Sequence, residues 1–243
     1  MNQTNYRPTA EPYYNSLLPN QPLLRELFLG DDAELARCLY EFTLQFSDLG
    51  LSDKFVVKQS PEFTLEQMAT SPAQLKFMQF LIMLTKSRSI LEVGTFVGIS
   101  TMYLARALPP GGRVVTLEKY DHFAAIAEDN FRANGLTDSI KLVCGDAMDY
   151  LTQQPKAPQF DCIFLDGCKE RYDDFFDVLD PLLTKGGLMI VDDVLFVGDV
   201  LNAKQQTPKG QGCRRYLAKA EKMASYRKVF LPFRNGLHLM QKI

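Results

Sequence analysis

A doubly wound α/β fold is what this sequence predicts, on three observations. From Ser89 onward short apolar runs alternate with longer amphipathic stretches, the first run feeds a glycine-bearing turn, and the chain finishes on a hairpin signal. The runs are 90–93, 114–117, 140–143, 162–165 and 188–191, with helical candidates at 99–108, 121–134, 146–154 and 170–184 between them. That is the rhythm of βαβ units around a parallel sheet. After a gap containing Thr207-Pro208-Lys209-Gly210, a helix near 212–224 precedes strands at 226–232 and 236–242. Arg234-Asn235-Gly236 joins the last two, and Asn-Gly between apolar alternations signals a hairpin, so the sheet should end with an antiparallel strand.

The chain before Ser89 reads differently. Residues 1–21 carry Pro8, Pro12, Pro19 and three Tyr, a composition that suits a flexible arm without its own core. From Pro22 to about Ser47, Leu24, Leu27, Phe28, Leu35, Cys38, Leu39, Phe42 and Phe46 recur at helical spacing, broken at Gly30-Asp31-Asp32, which predicts two helices. A short helix follows near 64–69. Ser71-Pro72 then opens another, with Phe77, Phe80, Leu81 and Leu84 as its expected apolar face. The division expected is an arm over 1–21 and one domain over 22–243, made of a helical extension (22–70) and an α/β core (71–243). No internal repeat is visible.

Length and composition agree with one large domain: 243 residues at 46% hydrophobic and 23% charged content bury one sizeable core. Five widely spaced cysteines without a CxxC pair read as reduced thiols, which favours the cytoplasm. The N-terminus lacks the apolar core of a signal peptide, and the richest apolar stretch is far short of the ~20 residues a membrane span needs. Net charge is −2, yet residues 201–243 hold ten Lys/Arg against one acid. That basic end suits either an anionic substrate such as a CoA thioester or a solvated surface balancing the acidic remainder.

Two groups of residues carry chemistry. Glu92-Val-Gly94-Thr-Phe-Val-Gly98 ends the first strand and opens a helix at Ile99-Ser100, leaving flexible backbone and free N–H groups where a cofactor approaches. It is not GxGxxG, and by itself serves equally as a tight strand-to-helix turn. Glu118 ends the next strand, where an acid can accept from ribose hydroxyls, and Cys144-Gly145-Asp146-Ala147 ends the third, beside an adenine position. The second group is Asp166, Lys169 and Asp192-Asp193, at the ends of the fourth and fifth strands. Crowded carboxylates without His or paired Cys suit a hard ion such as Mg²⁺, Mn²⁺ or Ca²⁺, although Asp192-Asp193 could instead cap the next segment. Lys169 is the candidate base, its neutral form favoured by a neighbouring cation and partial burial; the alternative is a solvated lysine.

With these residues in view, the chain resembles the cation-dependent, S-adenosylmethionine-dependent O-methyltransferases, the family of catechol and caffeoyl-CoA O-methyltransferases. The resemblance runs from about Met68 to the C-terminus through Met68-Ala-Thr-Ser71-Pro, Leu91-Glu-Val-Gly-Thr-Phe-Val-Gly-Ile-Ser100, Gly145-Asp-Ala, Phe164-Leu-Asp166-x-x-Lys169-x-x-Tyr172 and Val191-Asp192-Asp193-Val194. It implies a Rossmann-like class I methyltransferase: a mostly parallel seven-stranded sheet with an antiparallel last strand, helices on both faces and extra N-terminal helices. It also implies that Met68 and Thr70 flank the methionine moiety, that Gly94 and Ser100 hold its carboxylate, and that Glu118 takes the ribose and Ala147 the adenine. Glu92, Phe96, Asp146 and Asp166 join that cofactor set. Asp166, Asp192 and Asp193 would bind a divalent cation, Mg²⁺ first, and Lys169 with Asp166 would be catalytic.

The implied reaction is methylation of a hydroxyl on a small aromatic: catechol-like, flavonoid or hydroxycinnamoyl. Alternatives are a non-aromatic natural-product hydroxyl, an RNA hydroxyl, or a regulatory protein that binds the cofactor without turnover. A homodimer is expected, as in relatives, with no membrane partner, and nucleic acid ranks low because basic-aromatic recognition motifs are missing. Two departures stand out. The family usually has Asp-Asn where this chain has Asp192-Asp193, and the plant enzymes have Asp-Ala-Asp-Lys where it has Asp166-Gly167-Cys168-Lys169. Of the remaining residues, His122 and His238 read as structural, Cys168 as a wall residue, and Tyr172 as packing.

Overall fold

The computed structural model describes residues 40–243. The arm expected over 1–21, the helix break at 30–32 and most of the two helices expected up to Ser47 therefore lie outside the described residues. Residues 40–45 are helical, and Phe42 and Phe46 stack on each other at 4.6 Å while remaining exposed. The elements that follow are α1 (Leu65–Met68), α2 (Pro72–Thr85), β1 (Ser89–Val93), α3 (Ile99–Ala107), β2 (Arg113–Glu118), α4 (Asp121–Ala133) and β3 (Ile140–Cys144). Then come α5 (Ala147–Thr152), β4 (Phe160–Leu165), α6 (Tyr172–Leu179), β5 (Leu183–Val191), α7 (Pro208–Glu221), β6 (Tyr226–Leu231) and β7 (Leu237–Lys242).

All seven strands form one sheet in the order β3-β2-β1-β4-β5-β7-β6, parallel except that β7 runs antiparallel to both of its neighbours. Alternate residues on each strand serve two cores. Leu91, Val93, Leu117, Ile163, Leu165, Met189 and Val191 pack with Phe175, Phe176 and Tyr216 on one face. Ile90, Val114, Cys162, Phe164 and Ile190 pack with Leu75, Met78, Met102 and Phe131 on the other. Covering both faces with helices is what lets the central strands be continuously apolar. Strand order reverses between β1 and β4, so the crevice for a ligand opens at the carboxyl ends of those two strands.

Local chemistry accounts for the boundaries. Ser71 caps α2, its hydroxyl accepting from the Gln74 amide, with Pro72 in the first turn. Thr207 caps α7 in the same way through Gly210, so this helix begins at Pro208 rather than near 212: the segment expected to be a gap is its cap and first turn. The helix expected over 170–184 is α6 flanked by single turns at Lys169–Arg171 and Asp180–Leu182, and residues 183 and 184 belong to β5. The buried face of α2 also differs from expectation. Leu75, Met78 and Ile82 face the sheet, whereas Phe80 and Leu84 are 50% and 65% exposed. Gln74 and Gln79 on the buried side broke the apolar pattern that would have marked it.

Two cations of the basic end, Arg215 and Lys219, lie against acids of α6. Arg215 pairs with Asp173 at 2.9 Å and Lys219 with Asp177 at 2.6 Å, while Lys228 donates to the last carbonyls of α7. Lys204, Lys209 and Arg214 remain on the surface. The thiols of Cys144, Cys162, Cys168 and Cys213 are free. No helix among the described residues is long and apolar enough to cross a membrane.

Gly212 lets α7 approach the turn that carries Lys169, for a Cβ there would strike the Lys169 carbonyl and the Glu170 backbone. Backbone cannot yield as a flexible side chain does, so Gly212→Ala is expected to lower unfolding free energy by about 1–3 kcal/mol in a urea titration.

Candidate active site at the carboxyl ends of the strands

Four backbone hydrogen bonds hold the strand ends level. Gly94 donates to Leu117 (3.0 Å), Asp166 to Val93 (2.9 Å), Asp192 to Leu165 (3.0 Å) and Gly145 to Glu118 (2.8 Å). Each parallel ladder thus runs one residue past its strand into a turn, which brings the residues of those turns to one edge. One close approach is at Gly94, where φ is +100° and a Cβ would overlap the Asp166 carbonyl. Glycine is required there on both counts.

On the β1–β2 side, Glu118 is buried and tied to backbone. One carboxylate oxygen accepts from the amides of Thr95 (3.3 Å) and Phe96 (2.7 Å), the other from Tyr120 (2.9 Å). It therefore braces the glycine turn, a role the sequence reading did not give it. Phe96 adopts φ +52° and meets Phe123 edge-on at 5.0 Å. Asp146 caps α5 through the Met148 amide (2.9 Å), with Lys119 and Arg171 at 3.6 and 3.7 Å, and Ala147 opens that helix.

Glu92 is fully buried. One of its oxygens accepts from Thr101 and, at 2.6 Å, from Thr116; the other has no partner. Burial pushes its pKa up to about 7, against the nearby hydroxyls of Ser100, Thr101 and Thr116, with Asp166 adding repulsion.

A second set of residues lines one pocket: Met68, Ala69, Thr70, Gln74, Asp166, Asp192, Asp193, Arg234 and Asn235. All three expected carboxylates are in it. Burial and the charges of Asp166 and Asp193 push Asp192 up to about 7, and burial also raises Asp166 although Lys169 opposes it. The Lys169 ammonium lies 2.9 Å from Asp166 and 3.1 Å from Asp193. Among the described residues no three His, Cys, Asp or Glu are already gathered as a cation cage. The three acids share a pocket without converging, with an ammonium bridging two of them.

Lys169 also departs from expectation. Burial works against its charge, but Asp166, Tyr172 and Asp193 outweigh burial and raise its pKa well above 10.5. In this arrangement it is a held cation rather than a poised amine. Tyr172 is fully buried and donates to the Asp192 carbonyl (3.0 Å), which makes it packing and support. Cys168 is exposed, and His122 lies on the exposed first turn of α4. His238 is buried on β7, bonded to the Tyr216 hydroxyl (2.9 Å) and held neutral by burial, which lowers its pKa to about 4.

Gln74, Arg234 and Asn235 were not foreseen. Gln74 is 1% exposed with its amide nitrogen unpartnered. The only signal it left was a polar residue on the inner face of a helix. Arg234 and Asn235 arrive through the hairpin, whose return to the pocket is a matter of tertiary structure.

The glycine turn, the buried acids and the lysine meet at the open edge of the sheet, where ligands bind in α/β folds of this kind. The sequence pattern of the O-methyltransferase family matches residues 51–243, and the chain belongs to that family. It is similar to a catechol O-methyltransferase of Niastella koreensis, 39% identical over 65% of this chain and 72% of that protein. A catechol O-methyltransferase of Mycobacterium tuberculosis is 35% identical over 75% and 76% of the two chains. Among solved structures, an O-methyltransferase from Bacillus cereus in complex with SAH has a TM-score of 0.69 at 33% identity, covering 72% of this chain and 83% of that one. One from Streptomyces achromogenes, involved in tomaymycin synthesis and in complex with SAM, has a TM-score of 0.70 at 29% identity, covering 83% and 96%. The chain is thus an O-methyltransferase with the Rossmann-like fold of its relatives.

Because the folded pKa of Glu92 lies above its ordinary 4.5, its contribution to stability is fully present below pH 4.5 and lost as pH rises through about 7. Glu92→Gln, which keeps the shape and removes the ionisation, is expected to flatten the decline in Tm across that window in a pH series of thermal melts.

Proposed function

We propose that the chain is an S-adenosylmethionine-dependent and divalent-cation-dependent O-methyltransferase acting on a hydroxyl of a small aromatic acceptor. The observation that carries this reading is the shared pocket, in which Asp166, Asp192 and Asp193 stand beside Thr70 and Met68, with Lys169 bridging two of the acids. The catechol O-methyltransferases among its relatives support the acceptor class, and the SAM- and SAH-bound neighbours the methyl donor.

The residues fit a cation on the chemistry of their donors. Two carboxyls are pushed upward by burial and crowding, and positive charge relieves both. Asp166, Asp192 and Asp193 would hold it, all oxygen ligands as a hard ion prefers. A bound divalent cation supplies a fixed positive charge that orients acceptor oxygens and lowers the pKa of a phenol. They fit the donor through Glu92, whose buried oxygen lacks a hydrogen-bond donor that the methionine ammonium would provide. S-adenosylmethionine supplies a methyl group on a sulfonium, open to in-line displacement. Thr70 and Met68 would border its methionine end, Ser100 and the Gly94 turn its carboxylate, and Phe96, Glu118, Asp146 and Ala147 its nucleoside.

The chain's own tasks are orientation, exclusion of water and removal of one proton. Asp166 and Asp193 raise Lys169, so compensating their charge leaves burial free to favour the neutral amine. Lys169 then takes the acceptor hydroxyl proton. The usual amide is a carboxylate here, Asp193, which gives Lys169 a second anionic neighbour and sets its proton affinity higher.

Lys169→Met is expected to lower kcat on a catechol by about 10²–10⁴-fold, leaving S-adenosylhomocysteine affinity within about twofold by calorimetry. Asp193→Asn removes one of the charges that raises Lys169, so the alkaline rise of kcat/KM should move to lower pH; an unmoved profile would count against Lys169 as the base.

A further inference from the structure

Gln74 brings a buried donor without an acceptor to the wall of the carboxylate pocket. It lies in the first turn of α2, its backbone amide donating to the Ser71 hydroxyl (3.4 Å) at the helix cap. The side chain is 1% exposed and lines the pocket with Thr70, Asp166, Asp192 and Asp193, yet its amide nitrogen completes no hydrogen bond. A buried amide left unpaired lowers stability, and an apolar side chain fills the inner face of a helix without that cost. Met78 and Ile82, which continue the same i, i+4 stripe of α2, are apolar and fully buried.

An acceptor stands beside it. Asp192 has one carboxylate oxygen fixed by the Asp193 amide (2.7 Å), while the other receives no complete hydrogen bond among the described residues. Burial and the charges of Asp166 and Asp193 raise that carboxyl, and Gln74 is near enough to work against them. Donor and acceptor are therefore neighbours whose hydrogen bond is not closed in this arrangement. Closing it would tie the carboxylate at the end of β5 to a second element, α2. A ligating carboxylate is oriented by the hydrogen bonds it accepts, so such a contact governs affinity for a cation alongside the ligands themselves.

We propose that Gln74 is a positioning residue for the cation site: its amide donates to the second oxygen of Asp192 and holds that carboxylate in the orientation that ligates a divalent cation. This rests on the proposed cation site of Asp166, Asp192 and Asp193. The competing role is packing, in which the side chain only fills space beneath α2. Gln74→Met separates the two, since it keeps the length and bulk and loses the donor. Mn²⁺ binding is followed by electron paramagnetic resonance on the wild-type protein, Gln74→Met, Asp192→Ala and the double variant.

Without divalent cation, Gln74→Met is expected to melt no lower than the wild type, because it removes an unpaired donor and leaves nothing unpaired behind. Mn²⁺ should bind Gln74→Met about 10–100-fold more weakly than the wild type. In the Asp192→Ala background, which offers no acceptor, the same substitution should weaken binding by less than about threefold. Equal Mn²⁺ affinity in Gln74→Met and wild type, an equal loss in both backgrounds, or a lower Tm without cation overturns the assignment while leaving the cation site standing. Absence of Mn²⁺ binding by the wild-type protein sinks the cation site and this inference together.

Discussion

Negative charge crowded at the ends of β4 and β5 is the constraint around which the rest of this molecule is arranged. Asp166 and Asp192 follow neighbouring parallel strands whose ladder continues through the Asp192 amide to Leu165, so they cannot separate without breaking the sheet. Burial removes the water that would screen them, and Asp192 is driven up to about 7. Isolated buried carboxylates are costly, and proteins keep them where a counter-charge or a reaction requires them. Here Lys169 is the internal counter-charge, and Gly94 and Gly212 are the vacancies in side-chain space that let its turn and Asp166 sit where they do.

The two halves of the open edge perform different physical work. Around Glu92 and Glu118 the acids are engaged by hydroxyls and backbone amides, which fixes the shape of the glycine turn. Around Asp166, Asp192 and Asp193 the acids are compensated by one ammonium rather than by a full set of hydrogen-bond donors. Rigid support on one side and unresolved charge on the other is the division expected of a site that holds one ligand by shape and another by electrostatics. Asp193 increases that charge relative to the amide usual in the family. It draws Lys169 toward two acids instead of one, which raises the proton affinity of that lysine.

Much of the fold was legible because parallel strands buried on both faces leave continuous apolar runs, and the turns after them carry punctuation that survives in one dimension. Gly94, Glu118, Asp146, Asp166, Asp192 and Asp193 all sit one or two residues beyond a strand or at its end, where that punctuation falls. Other features depend on partners distant in sequence. Phe80 and Leu84 looked like a core face because they are apolar, but Leu75, Met78 and Ile82 were already matched to the sheet. Thr207-Pro208 looked like a gap, although a Thr before Pro is also a helix start, and Asp199 secures it by accepting from the Thr207 amide and hydroxyl. Gln74 and Arg234 reach the pocket from a helix and a hairpin far apart in the chain. Lys169 was placed correctly beside the acids, yet its proton affinity depends on the balance of burial against three neighbours, which spacing cannot supply.

The three carboxylates are proposed to form one cation site beside the methyl donor. Mn²⁺ titration followed by electron paramagnetic resonance, on the wild-type protein and on Asp192→Ala with S-adenosylhomocysteine present, tests it most directly. One bound Mn²⁺ per chain, released at least tenfold more readily by Asp192→Ala, is the expected result. Equal Mn²⁺ binding by the two proteins, or none by the wild type, would contradict it.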